Sequence, residues 1–177
     1  GTCHRKHVSM YDVPQQMPAG ARVAGFLVEK ELQYLGQALQ NPKRPFVAVL
    51  GGAKVSDKIN VIRNLLGKVD QVLIGGAMTY TFYAAQGKAI GKSLCERDKL
   101  DVARELLQLG GDKLKLPVDS VCAAELKAGV ATKVCESEIP SELMGLDIGP
   151  KSTEAYQQIL LRAGTIVWNG PVGAFET

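Results

Sequence analysis

Phe46-Val47-Ala48-Val49-Leu50-Gly51-Gly52-Ala53-Lys54-Val55-Ser56-Asp57-Lys58 is the stretch that decides the fold. An unbroken apolar run closes at two glycines and gives way to helical spacing. Such a run predicts a strand buried on both faces of a parallel sheet, with the glycines turning the backbone sharply at its carboxyl end. In open α/β sheets that end is where ligands bind. Amides of the Gly51-Gly52-Ala53 turn and of the next helix's first turn lack partners inside the helix, so they suit an anion, and the helix dipole adds to the attraction. Lys54 lies in the turn and Lys58 about one helical turn later, so both ammonium groups are expected on the same side of the helix start. Two point charges beside free amides point to a polyphosphate, not to a hydride carrier. The stretch is neither a Walker A loop nor Gly-x-Gly-x-x-Gly, and a glycine pair alone is more often an ordinary βα turn beside solvated lysines.

The pattern repeats outward from this stretch. The following helix, with Val55, Ile59, Ile62, Leu65 and Leu66 on its apolar side, is expected to run to about Lys68. A second buried strand, Gln71 to Ile74, ends at Gly75-Gly76 and leads into a short helix from about Met78 to Gln86. Glu96 to Leu109 has helical spacing, and Lys113 to Leu116 is a third strand stopped by Pro117. Asp119 reads as a turn or cap residue and not as a metal ligand. Lys127 to Ile139 reads as a surface excursion with irregular strands. Ser152 is the expected N-cap of a helix to about Arg162, and Thr165 to Trp168 is a fourth buried strand ending at Asn169-Gly170-Pro171. Four alternations predict a doubly wound α/β fold with a mostly parallel, Rossmann-like sheet and right-handed crossovers.

Upstream, residues 1–22 are polar and basic, and Pro14 and Pro18 exclude a long helix there. Val28, Leu32, Leu35 and Leu39 then recur at helical spacing between Ala24 and Asn41, a stripe expected to pack, and Pro42 ends it.

The 177 residues suffice for a sizeable core, and 46% hydrophobic with 22% charged residues is ordinary for a globular protein. A net charge of +3, spread along the chain, argues against nucleic acid as partner. Apolar runs are too short to span a bilayer, so no membrane partner is expected. The 4 cysteines form no C-x-x-C pair, and with only 2 histidines no protein-held metal site is expected. Reduced thiols fit an intracellular compartment.

Four blocks in order, Gly1-Thr2-Cys3-His4-Arg5, Arg44-Pro45-Phe46 to Ile59, Ile74-Gly75-Gly76-Ala77-Met78 with Thr81-Phe82, and Trp168 to Glu176, together resemble phosphoglycerate kinase. The resemblance implies reversible phosphoryl transfer between 1,3-bisphosphoglycerate and ADP, giving 3-phosphoglycerate and ATP, with Mg2+ carried by the nucleotide. Lys58 would neutralise the migrating phosphoryl group, with Lys54 assisting near the β and γ phosphates. Gly52, Ala53, Gly76, Asn169, Gly170, Pro171 and Val172 would meet the nucleotide, Gly145 would allow the adenine close approach, and Glu176 would hold ribose hydroxyls. Arg5 would contact the phosphoglycerate. Ala77 stands where a third glycine is expected, and Leu143 where many relatives carry tryptophan.

By the same resemblance residues 1–22 are the end of a substrate-binding lobe, 23–41 the helix joining two lobes, and 42–177 a nucleotide-binding lobe, incomplete at its carboxyl end. A monomer in the cytoplasm is expected, with plastid or glycolytic organelle as other compartments. The rest of the substrate lobe and an acidic magnesium-holding turn lie beyond this sequence in the family, so the piece alone is expected to be nearly inert. The alternatives are a nucleotide-binding module without transfer chemistry and a purely structural α/β domain.

Overall fold

A computed structural model describes residues 7–176. Arg5 therefore lies outside the described residues. The chain divides into two units, Gly1–Pro42 and Lys43–Thr177.

In the first unit a π-helical turn, Val8–Asp12, runs into the one-turn helix α1 (Val13–Gln16), and a 3-10 turn, Ala19–Ala21, precedes α2 (Phe26–Gln40). Pro14 occupies the first turn of α1, where its missing N–H breaks no helical bond. The Arg22 guanidinium donates to the carbonyls of Met17 and Gln15, both at 2.8 Å. On α2, Leu32 and Leu39 remain 60% and 36% exposed, so the packing expected of that stripe is not found at these positions.

The second unit is built on β1 (Phe46–Leu50), which is buried along its whole length. After it come α3 (Ile59–Leu66), β2 (Gln71–Ile74), α4 (Met78–Ala85), α5 (Leu100–Gly110) and β3 (Leu114–Lys115). Beyond them lie β4 (Ser120–Ala123), β5 (Lys133–Cys135), β6 (Met144–Ile148), α6 (Pro150–Leu161) and β7 (Thr165–Asn169). Four strands form a sheet in the order β3-β2-β1-β7, every neighbouring pair parallel. Side chains alternate across its central strand. Phe46, Ala48 and Leu50 pack with Ile62, Leu65 and Leu66 of α3, with α4 and with α5, while Val47 and Val49 meet Tyr156, Ile159 and Leu160 of α6. Helices on both faces are what the continuous apolar run requires. Burying each of the fully covered side chains Phe46, Val47, Val49, Leu50 and Ile62 contributes about 1.5–3 kcal/mol.

Three expectations give way here. Β7 is an edge strand, with Ile166 46% and Trp168 57% exposed, because it pairs on one side only and α6 leaves that end of the sheet face uncovered. The segment from Ser120 to Ile148 holds a separate antiparallel sheet, β5-β4-β6, of which the sequence pattern marked only irregular strands between 127 and 139. Ser152 is not the N-cap of α6: Gly149 holds that position and Pro150 fills the first turn. The α6 amides of Lys151 and Ser152 instead donate to the Asp119 carboxylate, at 2.9 and 2.8 Å. Asp119 is thus a cap residue, as read, but for a helix that begins 31 residues later in sequence and beside it in space.

Candidate functional site

Parallel strands bring the carboxyl ends of β1, β2 and β7 to one end of the sheet, and each strand ends in glycine. The Gly51 amide donates to Asn169 O at 2.9 Å, the Gly75 amide to Leu50 O at 2.9 Å, and the Gly76 amide to Val172 O at 2.6 Å. Met78 N, opening α4, donates to Gly52 O at 3.0 Å. The three loops are therefore fastened to one another by main chain. Gly76 has φ +71°, and a Cβ there would stand 2.5 Å from Gly52 O and 2.6 Å from Gly52 N, so only glycine lets these backbones meet.

Between the loops lies a cleft of about 350 Å³. Gly52, Ala53, Gly76, Gly145, Pro171 and Glu176 line it, brought together from four separate segments. Leu94, Leu126, Met144, Leu146 and Phe175 add an apolar wall that the sequence reading did not include. Leu94 and Leu126 are single apolar residues among polar loop neighbours, 61% and 45% exposed, and no periodicity marks them. An apolar wall, a carboxylate and loop backbone in one cleft are suited to a flat ring, a polyol and an anion.

Lys54, Lys58, Asn169 and Gly170 are not among the lining residues, and Lys58 lies beside the Gly52 turn. Its Nζ donates to the Asn169 side-chain oxygen, and its Cε is 3.7 Å from where a Cβ on Gly52 would be. Lys54 is exposed in the same loop. The helical turn expected between them is not there, because α3 begins only at Ile59 and residues 51–58 form an irregular loop closed by a turn, Lys58 N to Val55 O at 2.9 Å. The two glycines and the buried Val55 carry the chain around the strand end before a helix can start. Val172 gives its carbonyl to Gly76, while its side chain lines a different groove beside Val49 and Tyr156. Gly170, with φ +88°, turns the chain over Gly51.

Gly145 lines the cleft and is also pressed from behind by Tyr80. A Cβ there would lie 2.0 Å from the Tyr80 hydroxyl, so the space a side chain would need is already filled by Tyr80. Burial pushes the Tyr80 hydroxyl well above the usual tyrosine range and pushes Tyr83 up to about 12, so both serve as neutral packing behind the cleft. Among the described residues no group of three or more His, Cys, Asp or Glu side chains is arranged to hold a metal ion, and no helix is long and apolar enough to cross a membrane.

The family model for phosphoglycerate kinase matches residues 1–177. The chain is 58% identical over 176 residues to a phosphoglycerate kinase of Limosilactobacillus fermentum, covering 99% of this chain and 44% of that protein. It is 58% identical over 179 residues to that of Rhodopirellula baltica, covering 99% and 45%. Among solved structures, phosphoglycerate kinase from Coxiella burnetii superposes with a TM-score of 0.82 at 45% identity, over 86% of this chain and 40% of that one. The enzyme from Pyrococcus horikoshii OT3 superposes at 0.81 with 30% identity, over 99% and 45%. The chain spans less than half the length of these relatives.

Proposed function

Because the chain belongs to the phosphoglycerate kinase family, we propose that it forms the nucleotide-binding part of a longer phosphoglycerate kinase. That enzyme would transfer a phosphoryl group reversibly between 1,3-bisphosphoglycerate and ADP, giving 3-phosphoglycerate and ATP. In this reading residues 1–22 close the substrate lobe and carry Arg5 to the phosphoglycerate, 23–41 connect the lobes, and 42–177 hold the nucleotide. A cytoplasmic monomer belongs to the same proposal.

The observation that carries it is the cleft itself, with glycine-bearing strand ends, an apolar wall and Glu176 in its lining, together with Lys58 tethered to Asn169 near the Gly52 turn. The adenine would lie against Leu94, Leu126 and Met144, the ribose hydroxyls would donate to Glu176, and the phosphates would reach Gly52, Ala53 and the Gly170-Pro171 turn. Mg2+, arriving with the nucleotide, would neutralise phosphate charge. Lys58 would release Asn169 and offset the negative charge on the phosphoryl group as it moves, with Lys54 approaching from the loop. Both lysines favour a transferase over a binding module, which needs backbone amides and a single charge.

In the full-length kinase Lys58→Ala should lower kcat about 10²–10³-fold while nucleotide Kd changes by less than about threefold. A coupled assay with isothermal titration measures both. Wild-type turnover in the variant would remove Lys58 from catalysis, whereas absence of transfer by the unmutated full-length protein would leave the non-catalytic module standing.

A further inference from the structure

Lys54 and Lys58 sit on a loop that is not helical, so something other than a helix must hold them in register with the cleft. Val55 anchors the loop's inner side, fully buried. The polar anchor comes from far along the chain. Glu96 accepts from the Ser56 amide at 3.0 Å on one carboxylate oxygen and from the Ser56 hydroxyl at 2.6 Å on the other. The Glu96 amide in turn donates to the Thr81 hydroxyl at 3.1 Å, and Thr81 is wholly buried in α4, the helix that starts just after Gly76. Bonds to an ionised acceptor are roughly twice as strong as neutral ones, and a bidentate grip fixes direction as well as distance.

Resting on the kinase reading above, we infer that Glu96 is a positioning residue for Lys58. It ties the lysine-bearing loop, through Ser56, to the helix behind the second glycine turn, so that the Lys58 ammonium is held against Asn169 beside the Gly52 turn instead of sweeping solvent. Glu96 itself lines no part of the cleft and would touch neither nucleotide nor phosphoglycerate. It acts through loop geometry, and the reaction feels it as placement of a charge, to which transfer is steeply sensitive.

A double-mutant cycle in the full-length kinase tests this. Glu96→Ala should lower kcat about 10–100-fold with nucleotide KM changed less than about threefold. Glu96→Gln, whose amide oxygen can still accept from Ser56 N while its NH2 donates to the hydroxyl, should recover most of the loss. In a Lys58→Ala background, Glu96→Ala should cost nothing further. Equal losses with and without Lys58, an unchanged kcat in Glu96→Ala, or a fall in Tm with no fall in kcat would each overturn the inference. Should Glu96→Ala not fold, Ser56→Ala replaces it: a smaller kcat loss, again absent without Lys58, supports the role, and a loss that persists without Lys58 overturns it. The kinase reading fails separately, if the unmutated full-length protein transfers no phosphoryl group, and wild-type turnover by Lys58→Ala alone would overturn this inference while leaving the kinase reading intact.

Discussion

Asp119 shows how a single buried carboxylate joins two parts of the fold. Burial alone would raise its pKa, but the Ser152 hydroxyl and the amides of Ser152 and Lys151 outweigh it, and the carboxyl is held below the usual aspartate range. A lowered folded pKa means stability that is present above the unfolded value, about 3.9, and is lost as pH falls through the folded one. Asp119→Asn should therefore destabilise by about 1–2 kcal/mol at pH 7. By thermal unfolding over a pH series, the gap to wild type should stay level down to about pH 5 and narrow below about pH 4. A gap that does not narrow would show that charge is irrelevant to the cap. Gly76 makes the complementary point. Gly76→Ala meets both a positive φ and the Gly52 backbone, whereas Gly87→Ala, with φ +81° and nothing within 4 Å, meets only the first. The former should cost about 2–3 kcal/mol and weaken nucleotide binding, the latter about 1 kcal/mol with binding intact. Equal effects on affinity would remove Gly76 from the cleft's construction.

At the scale of elements, the legibility of the sequence differed from one to the next. Β1 and β2 were readable because a strand covered on both faces must be continuously apolar, and their glycine exits because sharp turns there leave few alternatives. Β4 and β6 were not, since Ser120-Val121-Cys122-Ala123 and Met144-Gly145-Leu146-Asp147-Ile148 alternate weakly and find their partners only within the small antiparallel sheet. That small sheet buries Cys122 completely beside Cys135, and burial together with the neighbouring thiol pushes the Cys122 thiol up to about 12. Cys122 should thus resist iodoacetamide at pH 8 in the native protein, while the half-buried Cys95 reacts, as read by peptide mass spectrometry. Rapid alkylation of Cys122 would mean that β5 does not stay closed over it. The start of α3 was misread for a related reason: apolar spacing from Val55 onward fits a helix, yet Val55 is buried as a loop residue and helical bonding begins only beyond Lys58.

Across the whole second unit, sheet order β3-β2-β1-β7 sets three glycine loops around one cleft. The sequence by itself determined the layered α/β architecture and the end of the sheet that carries the chemistry, because both follow from short-range facts: an apolar period, a glycine where φ or contact demands one, a proline where a helix must stop. Tertiary structure alone decided which of those local groups act together. Lys58 finds Asn169 across 111 residues and Ser56 finds Glu96 across 40, and these contacts depend on strand order and loop closure, which no local pattern encodes. Gly145 was readable as a glycine that something approaches closely, but that Tyr80 is packed against it depends on how β6 docks against α4, a matter of packing between elements distant in the chain.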